Sequence, residues 1–146
     1  MNRYLLIILL IFGNFYCDID RSKDYKLTEY FNKYNISLDS LKAIFVLDEV
    51  GCVTCNKSFS NLITYRLDNP KIKLILISRG SLIDISSLIK SKNTIIDFGG
   101  TFYKLGLCQN SSAILLKNGK IDTIIEINAT NLKNNLLYLD EKIQNN

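Results

Sequence analysis

The feature that most constrains this chain is the passage from Ala43 to Leu67. Ala43-Ile44-Phe45-Val46-Leu47 is a continuous apolar run of strand length. Asp48-Glu49-Val50-Gly51 breaks it, Cys52-Val53-Thr54-Cys55 follows, and Asn56 to Leu67 repeats apolar residues at helical spacing (Phe59, Leu62, Ile63, Leu67) until Asp68-Asn69-Pro70 stops it. A run apolar at every position is expected of a strand buried on both faces, which requires layers on either side of a sheet. The two thiols then fall at the N-terminus of the following helix. There they can close on each other, and the unpaired N–H groups and macrodipole of the helix end stabilise a thiolate.

The remaining segments extend the same architecture. Lys71–Ser78 reads as a second buried strand, Ser81–Lys90 as a helix and Thr94–Ile96 as a short strand. Ser112–Leu116 and Lys120–Ile127 flank Lys117-Asn118-Gly119, the strongest hairpin signal in the chain. Thr130–Ile143 reads as a closing amphipathic helix with Thr130 as N-cap, and Ser22–Asn35 as an opening one with Tyr25, Leu27, Tyr30, Phe31 and Tyr34 at core spacing. Phe98–Asn110 is the main irregular loop. The predicted class is α/β, with parallel strands joined by helices and an antiparallel hairpin at one edge.

Composition narrows the chemistry. The 146 residues include no His, which excludes an imidazole base, a Cys–His nucleophile pair and any His metal ligand. The net charge of +4 is spread over scattered Lys residues with no basic run, so no nucleic-acid partner is expected. Hydrophobic residues make up 47% of the chain, enough to build a core that does not depend on disulfides.

Residues 1–16 are laid out as a secretory signal: Asn2-Arg3, an apolar stretch from Tyr4 to Phe12, then Gly13 to Tyr16. The apolar stretch is short of the roughly 20 residues a membrane span needs. Cys17 at the junction with polar Asp18 resembles the lipidated first residue of bacterial lipoproteins, although Tyr16 is larger than the residue usual before it. An ordinary cleaved signal and an uncleaved anchor are the alternatives. The reading expects Cys17 as a lipid-bearing N-terminus, 17–22 as a tether and 23–146 as the folded domain, held on a membrane and facing the periplasm. Such a location outside the cytoplasm is oxidising, so a Cys52–Cys55 disulfide could persist there.

The element order, with CxxC opening the helix after the first buried strand, resembles the thioredoxin fold over residues 40–145. Ser111-Ser112-Ala113-Ile114-Leu115-Leu116-Lys117-Asn118-Gly119-Lys120 is similar to the thioredoxin segment of cis-Pro, Thr, four apolar residues and Lys-Asn-Gly. Thr94-Ile95-Ile96-Asp97 through Leu105-Gly106-Leu107 is similar to the extra segment of exported, membrane-tethered thiol–disulfide oxidoreductases, the TlpA-like group. Counting forward from Leu107 and back from Gly119 places the family's cis-Pro on Ser111 in both cases.

The resemblance implies a thioredoxin-like three-layer fold and a thiol–disulfide oxidoreductase. Cys52 would be the nucleophile and Cys55 the resolving thiol, with Asn110, Ser111 and Ser112 as the substrate-docking loop. The expected partners are exported protein thiols and disulfides and a membrane electron donor; no cofactor is expected. Three positions depart from the family: Ser111 for cis-Pro, Gly51 for the Trp before the first Cys, and Val46 for the buried Asp of thioredoxins. A non-Pro cis bond costs about 2.5–4 kcal/mol, so a trans bond or a rebuilt loop is expected at Ser111. Asp48 and Glu49 would oppose a strongly lowered thiol pKa.

Two other readings stay open. One is a non-catalytic binding lipoprotein that keeps Cys52–Cys55 as a staple. The other is a thiolate metal site of Cys52, Cys55 and Cys108 for a soft cation. Cys108 also reads as an inert buried hydrophobe or a third redox thiol. Asp97 reads as a solvated turn residue or as the family residue that ends the extra strand.

Overall fold

The computed structural model describes residues 22–80 and 83–145. The signal-like segment, Cys17 and the tether up to residue 21 lie outside the described residues. The chain divides into two units, Met1–Ile36 and Ser37–Asn146.

In the first unit, α1 runs over 22–32 and buries Leu27, Tyr30 and Phe31 on one side. It stops before the expected Asn35 because Asn35 adopts φ 55°. The Ile36 N–H then donates back to the Phe31 carbonyl at 3.2 Å, a left-handed C-terminal cap of the kind Asn tolerates.

The second unit holds a five-stranded mixed sheet: β1 (Ala43–Asp48), β2 (Ile72–Ile77), β3 (Thr94–Asp97), β4 (Ser112–Lys117) and β5 (Lys120–Glu126), in spatial order β3-β2-β1-β4-β5. β1, β2 and β3 are parallel; β4 and β5 run antiparallel to their neighbours. The helices are α2 (Val53–Arg66), α3 (Ser86–Ile89) and α4 (Leu132–Asn145). All six residues of β1 are buried. Ala43, Phe45 and Leu47 join Leu74 and Leu76 of β2 and Phe59 and Ile63 of α2 in one core, with Leu139 and Ile143 of α4. Ile44, Val46, Ile75 and Ile114, which alternate onto the other face, are fully buried too. The sheet is therefore the middle layer of an α/β arrangement compatible with a thioredoxin-like fold.

Two boundaries move for local reasons. α3 is far shorter than the predicted 81–90: the Asp84 carboxylate accepts the Ser86 N–H at 2.9 Å and starts the helix there, while residues 81–82 lie outside the described residues. Thr130 does not cap α4. Its N–H, like that of Asn131, donates to the Asn128 side chain, and the helix opens at Leu132. The hairpin is as expected, with Asn118 and Gly119 both at positive φ, 54° and 73°.

The sheet registers position the site. Asp48 pairs with Ile77, and Ile77 with Asp97, so the chain leaves all three parallel strands at the same edge. The segments 49–52, 78–80 and 98–100 emerge side by side at the carboxyl ends of the strands, where open α/β sheets place their sites.

Candidate active site

Cys52 and Cys55 form a disulfide with Cα atoms 5.2 Å apart. Cys52 is the N-cap of α2: its sulfur accepts the Cys55 N–H at 3.4 Å and its carbonyl accepts the Asn56 N–H at 2.8 Å. The thiols thus sit in the N-terminal turn of a 14-residue helix whose first turn contains no acidic residue. A thiolate on Cys52 would take the place of the capping acceptor and face the helix N–H groups. The two sulfurs differ in access. Cys52 is exposed, with exposed Val50, Gly51, Val53 and Thr54 around it, whereas Cys55 is 1% exposed and belongs to the core.

Ser111 lies against this turn. The peptide bond before it is trans, as are all peptide bonds among the described residues. Its hydroxyl accepts the Asp48 N–H at 3.0 Å and donates to Asn56 Oδ1 at 2.7 Å; the Asn56 amide in turn donates to the Asp48 carbonyl. Its own carbonyl accepts the Ile127 N–H at 2.8 Å. Ser111 therefore ties the start of β4 to the end of β1 and to the residue after Cys55. Asn110 is exposed, and Ser112 is fully buried with its hydroxyl on the Asn110 carbonyl. Val46 is fully buried beneath, in register with Ser112.

Both acidic residues before the CxxC are held by other groups. Asp48 accepts the Val50 N–H at 3.1 Å and the Tyr103 hydroxyl at 3.0 Å. Burial, followed by the Asp48 charge, drives the Tyr103 pKa upward, so the phenol stays protonated as the donor. The Arg79 guanidinium lies 5.4 Å from the centre of the Tyr103 ring. Glu49 is 1% exposed and accepts from the Ser78 hydroxyl and from the Arg79 and Gly80 N–H groups. Asp97 is buried, not a solvated turn residue. Its carboxylate accepts the Thr101 and Phe102 N–H groups at 3.0 and 2.7 Å and organises the 98–110 loop, which contains one 3-10 turn at Tyr103–Leu105.

Cys108 is a buried free thiol. Burial pushes its pKa up to about 11, and the Glu126 charge acts in the same direction against a hydrogen bond with Ser112. The three-thiolate metal site is not assembled. Cys52 and Cys55 are bonded to each other, and among the described residues no three Cys, Asp or Glu side chains are grouped to hold a cation.

The CxxC spacing singled out Cys52 and Cys55, and the resemblance pointed to Ser111; neither pointed to Asn56, Tyr103 or Arg79. Asn56 reads as one more polar position in the first turn of a helix, and nothing in spacing links it to Ser111, 55 residues away. No family model matches the chain, and no curated protein matches it either.

Proposed function

We propose that the chain is a thiol–disulfide oxidoreductase that exchanges disulfides with exported proteins through Cys52 and Cys55. The observation that carries this reading is the asymmetry of the pair: an exposed sulfur that caps a helix, bonded to a buried sulfur one turn further in. A staple does not require that arrangement. A bridge across a sequence separation of 3 also sits at the small end of what loop closure contributes to stability.

In the dithiol form the Cys52 thiolate attacks one sulfur of a target disulfide and expels the other as a thiolate. Cys55 then gives up its proton and attacks Cys52 Sγ. This closes Cys52–Cys55 and releases the target as two thiols, so two electrons pass from this protein to its target. An external dithiol restores the pair by the reverse steps. The exposed surface around Cys52 admits the incoming sulfur, and the buried position of Cys55 leaves it only Cys52 to attack. The signal-like layout of residues 1–16, and Cys17 after it, support a place in the cell envelope on a lipid anchor facing the periplasm.

Trapping tests the reading. A Cys55→Ser variant lacks the resolving thiol and should accumulate mixed disulfides with envelope proteins, all lost in a Cys52→Ser/Cys55→Ser double variant. Absence of such adducts, together with no acceleration of insulin reduction by dithiothreitol, would leave the fold as a binding module.

A further inference from the structure

Asp48 and Asn56, on either side of the CxxC, and Ser111, 55 residues beyond Asn56, close a buried ring of hydrogen bonds under the CxxC turn. The Asp48 N–H donates to Ser111 Oγ, the Ser111 hydroxyl donates to Asn56 Oδ1, and the Asn56 amide donates to the Asp48 carbonyl. Asn56 and Ser111 are 1% and 3% exposed, so water does not replace any member. Such closed, dry networks polarise their bonds mutually and hold their members in one geometry. The ring joins the end of β1, the start of β4 and the first turn of α2, and it reaches that turn at the residue bonded to Cys55.

We infer that Asn56 and Ser111 are positioning residues that set the equilibrium between the Cys52–Cys55 disulfide and the dithiol. The inference rests on the reading of this pair as an exchange site. In the disulfide form the S–S bond itself ties residue 52 to residue 55, so the ring is partly redundant. In the dithiol form that tie is gone. The ring is then what keeps the first turn of α2 wound, with the two Cα atoms near the 5.2 Å seen in the disulfide. A pre-positioned dithiol loses little freedom on closing, so the ring favours the disulfide. Breaking it lets the turn of the reduced protein fray, and the disulfide becomes easier to reduce. Freeing one residue's backbone corresponds to about a five- to thirtyfold change in an equilibrium constant.

The experiment equilibrates the full chain with defined ratios of reduced and oxidised dithiothreitol. The fraction of Cys52–Cys55 disulfide is read by differential alkylation and mass spectrometry of the peptide that carries both residues. Dithiothreitol supplies and accepts the two electrons, and no protein substrate is present. A failure of the trapping experiment and a failure here are therefore separate results. Ser111→Ala and Asn56→Ser should each shift the equilibrium toward the dithiol by at least about fivefold, about 20 mV or more at roughly 30 mV per tenfold. Ser111→Thr, which keeps the hydroxyl, should stay within twofold of the parent. A purely structural ring would destabilise the disulfide and dithiol forms equally and leave the equilibrium unmoved. Values within twofold of the parent for both Ser111→Ala and Asn56→Ser overturn the inference, as does a shift in Ser111→Thr equal to that in Ser111→Ala. Asn56→Ser keeps the test decisive should Ser111→Ala fail to fold.

Discussion

Glu49→Ala should release the loop segment 78–80 that follows β2 and destabilise the fold by about 2 kcal/mol. The Glu49 carboxylate is buried beside the CxxC approach and accepts three hydrogen bonds, from the Ser78 hydroxyl at 3.2 Å and the Arg79 and Gly80 N–H groups at 3.0 and 3.1 Å. Hydrogen bonds to a charged group each contribute about 1.5–3 kcal/mol, so the gross loss is roughly 4.5–9 kcal/mol. Two effects reduce it. The variant no longer holds a carboxylate out of water, a burial that costs several kcal/mol, and one of its oxygens, Oε1, has no hydrogen-bond partner among the described residues to offset that cost. Arg79 and Gly80 are also exposed, so their freed N–H groups find water. The remainder is on the order of 2 kcal/mol, or a fall of about 10 °C in Tm for a domain of this size. Urea unfolding of the disulfide form measures the free energy, and amide hydrogen exchange at Arg79 and Gly80 locates it. A loss below about 0.5 kcal/mol with unchanged protection at those two amides would refute the reasoning, because the carboxylate would then not be what orders the loop.

Two further outcomes follow from single residues. The Cys108 thiol is raised from 9.0 to about 11 in the fold, so its contribution is fully present below pH 9 and is lost as pH rises through 11. Unfolding free energies of the parent and Cys108→Ala from urea titrations should therefore keep a constant difference below pH 9 and converge by up to about 2–3 kcal/mol above it, and a difference that does not change with pH counts against the burial of this thiol. Gly119→Ala should cost more than about 1 kcal/mol, because Gly119 combines a φ of 73° with an Asp39 side chain standing where a Cβ would project. Thermal melts check this, and a variant as stable as the parent would show that the hairpin turn tolerates another conformation.

Much of the framework was legible in the residues. β1 and β2 are apolar at nearly every position because both faces of the sheet are covered, and this pattern identifies them without any structure. The Asn118-Gly119 turn marks the hairpin because few other pairs adopt positive φ twice. The CxxC at the strand-to-helix passage located both sulfurs at the N-terminal turn of the helix. What misled was local competition for backbone groups. Asp84 shortens α3 and Asn128 displaces the start of α4, because short polar side chains capture N–H groups that a periodicity argument assigns to a longer helix.

The order of elements and the pairing of Cys52 with Cys55 belong to the sequence, since they follow from apolar periodicity, spacing and turn chemistry along the chain; the expectation that Ser111 lies near them came from the resemblance alone. Other features were decided only when the sheet formed. These are that Cys52 is open and Cys55 closed, that Asp48 and Glu49 are held by Tyr103 and by residues 78–80 after β2, and that Ser111 meets Asn56. The reason is physical. Burial and hydrogen-bond partnership depend on which strands lie side by side, and the registers of β1 with β2 and β4 bring together residues whose separation along the chain carries no local signal.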